Sequence, residues 1–197
     1  MVAPLPSSPK PSPTVMMARF MTALLRHLDE GFSHGPGGGH ITESYELALY
    51  FMARHTAIDC FEKRGRRGYL FVIGDEPPYP KVKRREVARL IGDGLQTDIP
   101  VEEQIAELKR TYDVYYVLPK MTHHWNNPAV YRRWVELLGQ HALRLEDPAA
   151  ICELIASTVG VAEGKVGLEH LTDDLRQAGS SAAAARAVRN TLAEVGE

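Results

Sequence analysis

The amino-acid sequence predicts an α/β protein built on a parallel sheet, and three observations carry that prediction. Residues 69–73, Tyr-Leu-Phe-Val-Ile, form an unbroken apolar run rich in aromatic and β-branched side chains, and the run stops on Gly74-Asp75-Glu76-Pro77-Pro78. Residues 112–118, Tyr-Asp-Val-Tyr-Tyr-Val-Leu, repeat that composition and end on Pro119-Lys120. Segments whose apolar residues recur at helical spacing lie before, between and after these two runs. Continuous rather than alternating hydrophobicity marks strands covered on both faces, and strands that alternate with helices belong to a parallel sheet. Even with a short third strand at 141–145 the strands are few, so the expected sheet is a partial doubly wound one.

Taken in order, residues 1–16 are expected to be a disordered stub, since the first fourteen hold five of the chain's thirteen prolines and almost no core-forming side chain. Phe20, Ala23, Leu24 and Leu28 space a short helix, which the glycines of residues 31–39 end. A long helix is expected from Thr42 or Glu43 to about Lys63. Glu43 and Glu46 sit in its first turn, Ala48, Phe51, Met52, Ile58 and Phe61 form its apolar face, and Gly65 closes it. The strand at 68–74 follows, then helices at 83–91 and 100–110, the strand at 112–118 and a polar, aromatic loop at 120–127. A helix over 128–138 turns Val130, Trp134, Leu137 and Leu138 inward. Asp147-Pro148 has the N-cap and first-turn pattern of a further helix, expected to end at Gly160. A weakly amphipathic helix at 165–178 and an Ala-rich one at 180–195 complete the chain. The organisation is thus a main domain over residues 17–163 and a helical extension over 164–197.

A length of 197 residues with 44% hydrophobic side chains suits one domain with a real core. A formal net charge of −2 attracts neither nucleic acid nor anionic lipid, and the basic clusters at 63–67 and 81–85 lack aromatic interleaving. No apolar run reaches the roughly 18 residues of a membrane helix. The sequence therefore predicts no nucleic-acid partner, no membrane partner and a cytoplasmic location. Two cysteines, Cys60 and Cys152, are too few for a disulfide framework or a zinc site.

Asp75 is the leading site candidate. It closes a buried strand, and open parallel sheets bind ligands just beyond the carboxyl ends of their strands. Asp75 and Glu76 are equally ordinary turn residues. The glycines of residues 35–39, ahead of a helix, suggest phosphate binding, but they lack the Gly-Lys-Ser/Thr ending of a P-loop. His34, His40, His123 and His124 lack the i, i+4 spacing of a helical zinc pair. His55 on the long helix is expected to be a satisfied boundary histidine. No nucleophile with a base beside it is present, so an enzyme is not expected.

The run GGGHITESYELALYFMARHTAIDCFEKRGRRGYLFVIGDEPPY resembles the second half of a von Willebrand factor type A (VWA) domain of the bacterial intracellular kind. The blocks YDVYYVLP, WVELLG and HALRLEDPAAICELIASTVG resemble its last two strands and closing helix, and the likeness covers about residues 20 to 163. The resemblance implies a Rossmann-like fold that holds Mg²⁺ in a metal-ion-dependent adhesion site, all of whose ligands are oxygens. Matched residue by residue, the third metal loop's Asp falls on Asp75. The second loop's Thr falls on Thr42, with Glu43 or Ser44 as the rival.

The first metal loop, D-x-S-x-S, has no counterpart in the sequence, nor do the family's first strands. A truncated or partial VWA protein is therefore expected, with an incomplete site at Asp75, Thr42 and Glu43 that binds Mg²⁺ weakly or not at all. The resemblance further implies a protein partner, in the family's manner one belonging to an ATPase-containing assembly. The unpaired sheet edge suggests self-association. The alternative function is a small Rossmann-type enzyme that binds phosphate or a nucleotide on the Gly35–Gly39 loop.

Overall fold

The computed structural model describes residues 44–193. They form a partial Rossmann-like α/β fold: a three-stranded parallel sheet flanked by helices. Helices α1 (Tyr45–His55) and α2 (Asp59–Arg64) lead into β1 (Gly68–Ile73). Next come β2 (Lys81–Val82), α3 (Arg84–Leu90), β3 (Ile99–Pro100), α4 (Val101–Leu108) and β4 (Tyr112–Pro119). The chain continues through α5 (Pro128–Leu138), β5 (Ala142–Leu145), α6 (Ile151–Ala162), α7 (Leu171–Gln177) and α8 (Ala182–Ala193). The strand order is β1-β4-β5, with Leu70 opposite Val114 and Leu118 opposite Arg144.

Strand β4 is central and almost wholly buried because both faces are covered. Tyr112, Val114, Tyr116 and Leu118 face a core shared with Leu49, Ile105, Leu108, Val130 and Trp134. Tyr115 and Val117 face the opposite core, with Leu143, Leu145, Leu154, Leu171, Val188 and Leu192. Alternate residues of one strand thus serve two apolar layers, which is why the run is continuously hydrophobic. The Ala-rich helix α8 is part of the second layer, its Ala184, Ala185, Ala187 and Val188 buried. Thr191 Oγ1 donates to the carbonyl of Arg144, 2.7 Å away, so α8 shields the outer edge of β5.

Several expectations need correction. The long helix is two helices. Thr56 adopts an extended conformation, and its hydroxyl donates to the Met52 carbonyl (2.5 Å) while sharing a hydrogen bond with Tyr112 Oη (2.6 Å). That side-chain bond competes with the helical ladder, and Phe61 beyond it is exposed rather than inward. Gly160 does not end α6. A Cβ there would lie 2.8 Å from Val166 Cγ2, so this glycine serves close packing, and the left-handed turn falls at Gly164. The helix at 165–178 contracts to Leu171–Gln177. The two-residue antiparallel pairing of β2 with β3 has no counterpart among the expected elements, and Pro100, expected to open a helix, stands opposite Lys81 in it while α4 begins at Val101. The expected helix at 17–30 lies outside the described residues. Among the described residues no helix is long and apolar enough to cross a membrane.

Candidate functional site

The carboxyl end of the sheet is built from the turn after β1 and the loop after β4, and each is fixed by the core beneath it. Tyr116 Oη donates to the Gly74 carbonyl (2.8 Å), and Trp134 Nε1 donates to the Glu76 carbonyl (2.9 Å). The two rings stack with centroids 4.1 Å apart, and Tyr45 meets Trp134 edge-on at 5.7 Å. Both turn carbonyls are thus satisfied by side chains rooted in the apolar layer, as buried carbonyls must be. The loop after β4 closes through Thr122 Oγ1 to the Pro119 carbonyl and the Asn127 N–H to the His124 carbonyl. Asn127 then caps α5 by accepting from the Ala129 N–H.

The β1 turn needs a glycine at position 74 for a specific reason. A Cβ there would fall inside the van der Waals shell of Tyr45 Oη. Gly74→Ala should therefore cost about 1–3 kcal/mol through overpacking, read by urea unfolding. The ring carbon Cζ of Tyr45 would also stand only 2.7 Å from that Cβ, so it is the end of the ring, not the hydroxyl alone, that obstructs, and Gly74→Ala should cost little more in a Tyr45→Ala background. Equal costs in the two backgrounds would show that the Tyr45 ring is not the obstacle.

Asp75 sits just past the end of β1, where the sequence places it, half-buried. Its Oδ2 accepts the backbone N–H of His124 at 3.1 Å, so the carboxylate ties the two loops together. Glu76 Oε1 stands 3.7 Å from His124 Nε2. Thr42 and Glu43 lie outside the described residues, as does the Gly35–Gly39 loop. Ser44 occupies the position before α1 and its side chain makes no capping bond. Among the described residues no group of three His, Cys, Asp or Glu side chains converges as metal ligands would. Asp75 and its neighbours alone are short of the six-oxygen shell that Mg²⁺ requires.

Sequence inspection missed two features. Asp93, in the glycine-flanked turn after α3, accepts from Tyr50 Oη (2.7 Å) and meets His55 Nε2 at 2.6 Å. His55 stacks on Phe51, so it is the satisfied boundary histidine expected. Burial, and then the bond to Asp93, pushes the Tyr50 phenol up to about 12. The second feature is exposure beside Asp75: Ile73 is 47% exposed and Met121 is 91% exposed, the latter with a left-handed φ of 72°. A non-glycine residue in that region is a strained one.

No protein-family model, curated protein or solved structure matches this chain. Geometry alone must therefore carry a function.

Proposed function

We propose that the chain is a VWA-like protein-interaction module whose partial sheet is completed by a strand from a partner. One observation supports this above the others: among the described residues, β1 pairs only with β4, and its outer edge carries no strand. The six residues of that edge strand hold neither a charge nor a proline, the two devices that ordinarily keep an edge from pairing. Gly68 and Gly74 donate their N–H groups toward β4, to Thr111 and Val117. Alternation then turns the N–H groups of Tyr69, Phe71 and Ile73 outward, an open row of donors with Ile73 and Met121 as apolar contacts at its end.

In this proposal Asp75 is the chain's own contribution to a Mg²⁺ site whose remaining oxygens come from outside residues 44–193. The resemblance to VWA proteins suggests a partner in an ATPase-containing assembly. The Gly35–Gly39 loop behind the nucleotide-binding alternative is not among the described residues, so the geometry adds nothing to that alternative.

Substitution by proline separates the edge from the fold. Ile73→Pro removes an outward N–H and leaves the β4 ladder whole. It should weaken concentration-dependent self-association at least tenfold in sedimentation velocity while changing the thermal midpoint little. Val72→Pro, on the β4 side, should unfold the protein. Association of the Ile73→Pro protein equal to that of the parent would refute edge pairing. Asp75→Ala should remove any EDTA sensitivity of the association.

A further inference from the structure

At the opposite edge of the sheet, Arg144 of β5 lies between two aromatic rings. Its guanidinium carbon is 4.1 Å from the centroid of Trp125 and 5.4 Å from that of Tyr131. Nη2 donates to the Trp125 carbonyl at 3.0 Å, and that is its single hydrogen bond among the described residues. Nε is shut off from solvent, and among the described residues it has no partner and no carboxylate pairs with the guanidinium. Taking a cation partly out of water is costly unless an anion or a full set of acceptors compensates it, and one carbonyl with two ring faces does so only in part.

The same arginine lines an open cavity of about 510 Å³ with Trp125, Asn126, Tyr131, Arg132 and Val135. No acidic side chain lines it, and its two charged groups are both guanidinium. Asn127 and Pro128, which open α5, form another part of its wall, so the positive end of that helix's dipole adds to the field. The size is that of a small-molecule or side-chain pocket. A planar guanidinium held rigid by stacking suits a planar oxyanion in its own plane, met at the Nη groups because Nε is shut off. The ring of Trp125, Pro128 and the half-exposed Val135 supply an apolar wall, which a bare inorganic ion would not use.

We propose that this cavity binds an organic carboxylate, its oxyanion on Arg144 and Arg132 and its apolar part against Trp125 and Val135. The proposal does not depend on edge pairing by β1. The carboxylate is either that of a free small molecule or one carried by an acidic peptide.

The chain has two tryptophans, and the second provides an internal control: Trp134 is fully buried, whereas Trp125 lines the cavity. Titration of the ¹⁵N-labelled full chain with phenylacetate should move the Trp125 indole N–H resonance saturably and leave that of Trp134 in place. Inorganic phosphate should bind at least tenfold more weakly, since it cannot use the apolar wall. A hexaglutamate peptide serves as the second carboxylate source. Tighter binding of the peptide assigns the site to a protein partner, and tighter binding of phenylacetate to a free small molecule. Arg144→Gln should weaken binding of the better probe at least tenfold. Arg132→Gln, a change at an exposed residue that leaves the fold alone, should weaken it severalfold. An absence of saturable shift with either carboxylate would overturn the proposal. So would phosphate binding as tight as phenylacetate, or unchanged affinity in Arg132→Gln.

Discussion

Acidification from pH 8 to pH 5 should add stability through Glu46, and Glu46→Gln should abolish that contribution. Glu46 lies on α1 with no exposed surface, and neither carboxylate oxygen has a hydrogen-bond partner. Burial raises its pKa to about 8. The backbone N–H groups of Glu46 and Tyr79 lie near enough to offset part of that rise without making a bond of good geometry, and of the charges nearby, Glu86 on α3 adds to the rise while Lys83, just before that helix, opposes it. The folded protein therefore holds a proton that the unfolded chain, with its ordinary value of 4.5, has already released. A group whose folded pKa is raised contributes its full stability below the unfolded value and loses it as pH climbs through the folded one. The window is thus pH 4.5 to 8, and the sign is opposite to that of a salt-bridged carboxylate. At up to 1.36 kcal/mol per pH unit, with both ends of the window only partly titrated, the change between pH 5 and 8 is about 3.5 kcal/mol. Urea unfolding of the parent and of Glu46→Gln at both pH values isolates the group, because every other titration cancels in the difference. A parent-minus-variant difference that stays constant across the window would show that Glu46 ionises normally in the folded protein.

Trp134→Ala should cost about 3–5 kcal/mol, the range for deleting a large aromatic from a packed core. The residue is fully buried, stacked on Tyr116 and capped edge-on by Tyr45. Its second role is at the site. Without the indole N–H, the Glu76 carbonyl loses its donor, and the turn that carries Asp75 keeps the Tyr116 bond at Gly74 and the His124 bond at Asp75 but loses the anchor beyond them. Trp134→Phe separates the two roles. It keeps most of the stacking and removes the donor, for about 1–3 kcal/mol. The amide of His124, which donates to Asp75, should exchange its hydrogen faster in both variants than in the parent. A Phe variant with parental His124 exchange would mean that the indole does not hold the turn.

How much of this was legible depended on how local its causes are. The strands at 68–73 and 112–119 announce themselves through nearly continuous apolar runs, but only β4 is buried on both faces as expected; β1 is half-buried along its length with Ile73 exposed, because it lies at the edge of the sheet. Helix α5 was placed to the residue, because Asn127-Pro128 states its start in chemistry that acts within two residues. The break between α1 and α2 was not legible. Its cause is the hydroxyl of Thr56 meeting Tyr112, 56 residues away in sequence. The Tyr50–Asp93–His55 cluster was hidden for the same reason. Nothing local marks Arg144, and only the fold brings Trp125 and Tyr131 over its guanidinium. Asp75 was legible as the end of a strand, whereas its acceptance of the His124 N–H was not.

The hydroxyl of Thr191 on the Arg144 carbonyl has a consequence for stoichiometry. A sheet with two free sides can add subunits indefinitely and grow into a fibre. Among the described residues this one is covered on one side by its own last helix, which leaves β1 as the side for the proposed pairing. If two copies meet there, a twofold axis satisfies both edges and leaves nothing to elongate. The proposed edge pairing therefore predicts a finite pair and not a fibre.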